Sequence, residues 1–308
     1  MALSAGVVSF LRQPPRLCIR LCESEVMDGH AVAPAAGTVL NALATGYGSA
    51  FAIEAYTTAT VELDPTGAVT GDVAEVPDAD TRLIERCVEL CVEQFGDGEG
   101  GHVRTESDVP MASGLKSSSA AANATVLATL DALGAADELT REDACRLGVE
   151  AARDVGVTVT GAFDDASASM LGGVTVTDNT EDELLSRETV DWDVLVYTPD
   201  ERAFSADADV SRCTRIAPVA EVVYDLAMAG AYEQAMCVNG FAFCAALGFS
   251  TEPLLEALPD TAASLSGTGP SYTAVGDQNA LERLHDQWKT REGHTWMTTT
   301  QTTGATIR

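Results

Sequence analysis

The sequence predicts an α+β fold of two lobes. Segments with helical periodicity alternate with segments rich in Val and Thr, but without the strict strand–helix–strand repeat of a parallel α/β domain. The length of 308 residues suits one large domain or two small ones, and 46% of the residues are hydrophobic, enough for a core in each lobe. No internal repeat or long linker breaks the pattern. The acidic stretch "DNTEDELLSRET" (178–189) supplies a boundary near residue 185, giving lobes at 27–185 and 186–308 behind a distinct segment at 1–26.

The elements follow in order. "AFAIEAYTTATVEL" (50–63) reads as a strand pair, and "DADTRLIERCVELCVEQFG" (78–96) as a helix with an Asp start and a Gly stop. "GHVRTESDVP" (101–110) reads as a strand leading into a loop. Residues 119–133 form a helix, with Val126, Leu127, Leu130 and Leu133 at helical spacing and Gly134 after its end. "LTREDACRLGVEAARDVG" (139–156) starts with a capping box, Thr140 to Asp143. "GAFDDASASMLGGVTVTDN" (161–179) gives a loop, a short helix, and a strand after Gly172-Gly173, and "WDVLVYTP" (192–199) is a buried strand. In the second half, "APVAEVVYDLAMAG" and "AYEQAMCVNGFAFCAALG" are helices. "TEPLLEALPDTAASLSGTGPSYTAVG" is helix, strand, turn and strand; "LERLHDQWKTREG" is a helix, and "HTWMTTTQTTGATI" a closing strand.

The net charge of −29 and pI of about 4.2 repel nucleic acid and anionic membranes, so neither is an expected partner. The acidity is diffuse and lysine stands only at 116 and 289. Such a surface suits a soluble protein of a high-salt cytoplasm, where screening relieves self-repulsion. The eight cysteines contain no C-x-x-C, and Cys87 and Cys91, at i and i+4 of a helix, read as buried free thiols in a reduced cytoplasm. The four histidines have no metal-ligand spacing. The 23 uncharged residues Ala31–Ile53 are long enough for a membrane span, but Pro34, Gly37, Asn41, Gly46 and Gly48 argue against one. Residues 1–26, with Arg12, Arg16, Arg20 and Pro14-Pro15, make a poor signal peptide and are read as an extension upstream of Met27.

"MASGLKSSSAAANA" (111–124) places one of the two lysines beside a serine run. It is not a Walker A loop, because Pro110 stands where the first glycine is required and Lys116 does not follow a second one. Ser117, Ser118 and Ser119 fall at a helix N-terminus, where free N–H groups and the helix dipole favour anions. A serine-capped core helix would look the same.

Three segments together carry a resemblance. "PMASGLKSSSAA" resembles the phosphate loop of the GHMP kinases, "SGTGPS" (266–271) their C-terminal glycine-rich motif, and "APAAGTVLNALATGYGSAFAI" stands in the place of their N-terminal motif. The lysine in the loop, "GAFDDASAS" before a double glycine, and "NG…ALG" in the second half are similar to the archaeal shikimate kinases of that superfamily, from about Met27 to Arg308. The resemblance implies a ribosomal-protein-S5-like N-terminal lobe, a ferredoxin-like C-terminal lobe, and transfer of a phosphoryl group from ATP to the 3-hydroxyl of shikimate in aromatic amino-acid biosynthesis. Homoserine, a mevalonate-type alcohol, or a catalytically inactive ligand-sensing relative are the alternatives.

It also implies site residues. Pro110, Met111, Ala112, Ser113, Gly114, Leu115, Lys116, Ser117, Ser118, Ser119 and Ala120 would wrap the ATP phosphates, with Ser118, or else Ser119, on Mg²⁺ and Lys116 reaching phosphate. Gly267, Thr268 and Gly269 would pack against that loop. Asp165 and Ser169 fit the family's D-x-x-A-S spacing, which makes Asp165 the expected base and Asp164 its partner as Mg²⁺ or substrate ligand. Arg153, Arg202, Arg212 and Arg215 are candidates for a fork on the shikimate carboxylate, with no choice among them.

Overall fold

The computed structural model describes residues 27–109, 113–158, 161–200 and 209–308. The extension at 1–26, the loop residues Pro110, Met111 and Ala112, and Arg202 lie outside the described residues.

The first sheet has seven strands. β1 (Met27–Leu40) and β2 (Tyr47–Asp64) form a long antiparallel hairpin, β4 (Gly100–Ser107) continues it, and β3 (Val69–Val73) joins β4 in parallel. β5 (Val174–Asp178) pairs with the first part of β2, and β6 (Glu183–Glu188) pairs with β5. Residues 50–63 therefore belong to one strand, not two. They contain no turn residue, and from Ala55 on their burial alternates strictly, which is the signature of a strand with one covered face. The uncharged run 31–53 is the hairpin itself, and no helix among the described residues is long and apolar enough to cross a membrane.

Four helices cover this sheet: α1 (Arg82–Phe95), α2 (Ser117–Ala132), α3 (Arg141–Asp154) and α4 (Phe163–Leu171). α2 is the central one. It is built from Ala, Thr, Val and Leu and is buried on every side from Ala122 to Leu130, packed against the β1–β2 hairpin and between α1, α3 and α4. α3 begins as its capping box predicts, with Thr140 Oγ1 accepting from the Asp143 N–H at 3.1 Å and donating to the Asp143 carboxylate at 2.7 Å. Cys87 and Cys91 are buried free thiols in the core between α1 and α2, and burial pushes the Cys91 thiol up to about 12.

The second sheet is antiparallel, in the order β10 (His294–Thr299), β7 (Asp193–Thr198), β9 (Tyr272–Gly276), β8 (Thr261–Leu265). With it go the helices α5 (Val210–Thr214), α6 (Ala217–Met228), α7 (Tyr232–Leu247), α8 (Glu252–Ala257) and α9 (Gln278–Trp288). The expected boundary at 185 falls inside β6. Because β6 pairs with the first sheet and β7 opens the second, we propose that the lobes divide between Glu188 and Asp193. A shared core of Leu40, Phe51, Ile53, Val194, Val196 and Met236 joins them.

The closing segment is not one strand. β10 belongs to the second sheet, and the chain then crosses so that β11 (Thr306–Ile307) pairs with β1. Gln301 donates its N–H to the Ala52 carbonyl and accepts from the Gly173 N–H, and Ala305 N–H donates to the Met170 carbonyl at the end of α4. Arg187 fixes this strap, donating to the carbonyls of Leu171, Gly172 and Thr302 at 2.6, 2.9 and 3.0 Å. The break at Thr300–Ala305 is set by these cross-lobe bonds, a tertiary effect that a run of threonines does not announce.

Candidate active site

The N-termini of α2 and α4 open into one cavity of about 530 Å³. Its lining includes apolar Val73, Leu83, Ile84, Val149 and Val157, with Asp80 and Arg82 beside them in the chain. It also includes Lys116, Ser117–Ser119, Asp164, Asp165 and the glycine-rich turn at Gly267-Thr268. These sequence motifs are thus brought together from three places in the chain.

α2 starts at Ser117, two residues earlier than its periodicity indicated, and Lys116 is its N-cap residue. Lys116 has φ 63° and no side-chain cap. A non-glycine residue in the left-handed region costs roughly 1–2 kcal/mol, and such strain clusters at functional sites. That backbone turns the lysine away from its own helix. Its Nζ lies 2.6 Å from Asp165 Oδ1, with the two side chains only 7% and 15% exposed. The lysine thus ion-pairs with the aspartate instead of standing free in the loop.

Asp164 and Asp165 occupy the first turn of α4, and the α-helical turn sends them apart. Asp165 faces Lys116. Burial, with a further push from the Asp164 carboxylate, raises its pKa well above the carboxylate range to about 7, and Lys116 opposes the rise. Asp164 turns toward β5, where its Oδ1 accepts from Asn179 Nδ2 at 2.7 Å and its backbone N–H donates to Asn179 Oδ1 at 3.0 Å.

The phosphate-loop segment and the glycine-rich turn are in direct contact. Ser266 Oγ donates to the Gly114 carbonyl at 2.8 Å, and Ser271 N–H to the Ser113 carbonyl at 3.2 Å. Gly114 has φ 82°, and a Cβ there would stand 2.5 Å from the Ser266 carbonyl oxygen and 2.7 Å from that of Gly269, so only glycine fits. The turn is also held from the first strand pair: Asn41 Nδ2 donates to the Gly267 carbonyl at 2.7 Å, and Gly267 N–H donates to Thr38 Oγ1 at 2.8 Å. Asn239 of α7 closes the network by accepting from Asn41 N–H and donating to Ser264 Oγ. Sequence reasoning missed Thr38, Asn41 and Asn179. Asn41 and Asn179 each directly follow a strand, where an Asn reads as an ordinary turn former.

Arg153, Arg212 and Arg215, the candidate arginines among the described residues, do not form a fork in this cavity. Arg153 is bound to both oxygens of Asp182, at 2.5 and 2.7 Å, and to the Asn179 carbonyl. Arg212 donates to the Ala245 carbonyl, and neither it nor Arg215 lines the cavity. Among the described residues no group of three or more His, Cys, Asp or Glu is placed to hold a metal ion.

The N-terminal domain model of the GHMP kinases matches residues 82–173, from α1 through α4 to the glycine pair. A solved homoserine kinase from Cytophaga hutchinsonii has a TM-score of 0.70 over 93% of this chain and 99% of that one, at 16% identity. The Methanococcus jannaschii mevalonate kinase has a TM-score of 0.70 over 90% and 99%, at 13% identity. These two likenesses speak for the two-lobed fold alone; the class, an ATP-dependent GHMP kinase acting on small molecules, rests on the matched domain together with curated relatives. Curated relatives narrow this further. A protein named shikimate kinase in Halobacterium salinarum is 64% identical over 281 residues, covering 91% of this chain and 99% of its own. One of the same name in Methanosarcina mazei is 51% identical over 284 residues, covering 91% and 96%. The chain belongs to this archaeal shikimate kinase family.

Proposed function

We propose that the protein transfers the γ-phosphoryl group of ATP to the 3-hydroxyl of shikimate. The observation that carries the mechanism is the meeting, in one cavity, of an acid-free helix N-terminus and a lysine-paired aspartate. Phosphoryl transfer needs charge neutralisation, an aligned hydroxyl and a group to take its proton. The backbone N–H groups at Ser117–Ser119 supply donors and the positive end of a dipole for the phosphates. The apolar lining residues Val73, Leu83, Ile84 and Val149 suit a purine base. Asp165 takes the hydroxyl proton; with a pKa near 7 it is matched to that task at neutral pH. Lys116 holds the carboxylate in place and contributes positive charge between it and the phosphates.

Mg²⁺ fits the donor set present. The Ser118 hydroxyl is exposed in the cavity and Asp164 lines it, and Mg²⁺ characteristically takes one or two protein oxygens and completes its shell with phosphate and water. Ser118 and Asp164 would hold it, and the ion would neutralise phosphate charge. The names of the curated relatives support shikimate over homoserine or a mevalonate-type alcohol. A coupled assay of ADP release with each alcohol in turn tests the reading. Shikimate-dependent turnover is the expected result; turnover with another alcohol only would overturn it.

A further inference from the structure

Asp164 is seated more tightly than its neighbour. The Asn179 side chain is buried, and its orientation is fixed by chemistry. The Asp164 backbone N–H can only donate, so the atom 3.0 Å from it must be the amide oxygen, which also accepts from Thr177 Oγ1 at 2.8 Å. The amide nitrogen therefore faces Asp164 Oδ1, at 2.7 Å. On the opposite side β2 closes in at Gly48. A Cβ at that position would lie 2.5 Å from the Asp164 Cβ, Cγ and Oδ2, although the Gly48 backbone has no positive φ that would itself call for glycine. Asn179 is in turn fixed through its main chain. Its N–H donates to the Gly46 carbonyl, and its carbonyl accepts from Arg153, whose guanidinium is anchored on Asp182.

We infer that Asn179 is a positioning residue, which with Gly48 holds the Asp164 carboxylate in one rotamer at the margin of the cavity that Asp164 lines, and that Arg153 acts in this seat and not on the substrate carboxylate. The inference rests on the phosphoryl-transfer reading above. It gives Asp164 a required place in the site, because a carboxylate needed only as a helix cap would not call for a dedicated amide and a glycine on the facing strand.

The test is a double-mutant cycle between Asn179 and Asp164, read in kcat and KM with purified, folded enzyme. Asn179→Asp keeps the volume and removes the donor, and Asn179→Ala is the second variant should the paired carboxylates prevent folding. Either is expected to lower kcat about 100-fold, the cost of a misplacement of about 1 Å in the site, with the KM for ATP changed much less. Added to Asp164→Asn, the Asn179 change should cost little more, because it acts through the same side chain. Losses that multiply in the double variant, or a kcat within about threefold of wild type alongside a lower Tm, would assign Asn179 to stability alone and overturn the inference. A wild-type enzyme without shikimate turnover would overturn the functional reading and this inference with it.

Discussion

Two helices of the first lobe start at the same cavity in the same way and then differ in chemistry. α2 and α4 each follow a non-glycine residue in the left-handed region, Lys116 at φ 63° and Ala162 at φ 53°, and neither start has a side-chain cap. The first turn of α2 has no acidic residue, whereas that of α4 holds Asp164 and Asp165. A helix N-terminus attracts negative charge. α4 meets that attraction with its own carboxylates, and α2 does not. In the proposed mechanism the difference separates a helix start that performs acid–base work from one that receives the phosphates, and the lysine at the head of α2 joins the two.

The largest effect should come from removing the charge that distinguishes α4. Asp165→Asn is expected to fold, to bind ATP, and to lose roughly 10²–10⁴ in kcat; a variant keeping more than about a tenth of wild-type turnover would remove Asp165 from the base role. The next effect comes from making α2 resemble α4. Ser118→Asp should raise the KM for ATP by about 100-fold or more, since like charges brought together cost several kcal/mol. The same change should stabilise the helix by about 0.3–1 kcal/mol. Calorimetry and a melting curve on one sample would read both signs, and a loss of stability would contradict the dipole argument.

Breaking the link between the helices should appear in the pH profile. Wild-type kcat/KM is expected to climb with pH and level off above about 7, as Asp165 loses its proton. Lys116 lowers that pKa, so Lys116→Met should move the acid limb to higher pH. Because the folded state holds this proton more firmly than the unfolded chain, the stability contributed by the protonated group is complete at acid pH and is lost as pH rises through about 7. Lys116→Met should carry the loss to higher pH and enlarge it; an unmoved acid limb would mean that Asp165 does not govern the profile. The smallest effect concerns the strained caps themselves. Ala162→Gly should leave kcat unchanged and raise stability by up to about 1 kcal/mol, because glycine enters the left-handed region without a Cβ penalty.

Much of this site was legible because its residues are chemically unusual. A lysine in a lysine-poor chain, a serine run before a helix and adjacent aspartates after a glycine all stand out, and all line the cavity. The Thr140 cap and the Gly172-Gly173 break were legible because they are local. β3 and β6 were missed for the opposite reason. "VTGDV" and "ELLSRE" are short and largely polar, and become strands only through β4 and β5. Phe51 and Ile53 lie in the same strand as Thr57–Val61, but across a register shift at Glu54–Ala55, and pack into the inter-lobe core, which blurs the alternation and suggests a pair. The Lys116–Asp165 contact could not be read from a sequence separation of that size, nor could the engagement of Arg153 by Asp182.

The crossing of the last residues from the second sheet to the first has a consequence for folding. β1 is among the first strands to emerge from a ribosome, and its partner β11 is among the last, with Ala31 opposite Ile307. The end of the helix bearing both aspartates likewise waits for Ala305. A chain without residues 300–308 keeps both strands of the β1–β2 hairpin but lacks the β11 pairing and the Ala305 bond to the aspartate helix. Domains generally fold as units; here the closing segment completes the N-terminal lobe, so a substitution in it would be felt in the lobe farthest from it in sequence.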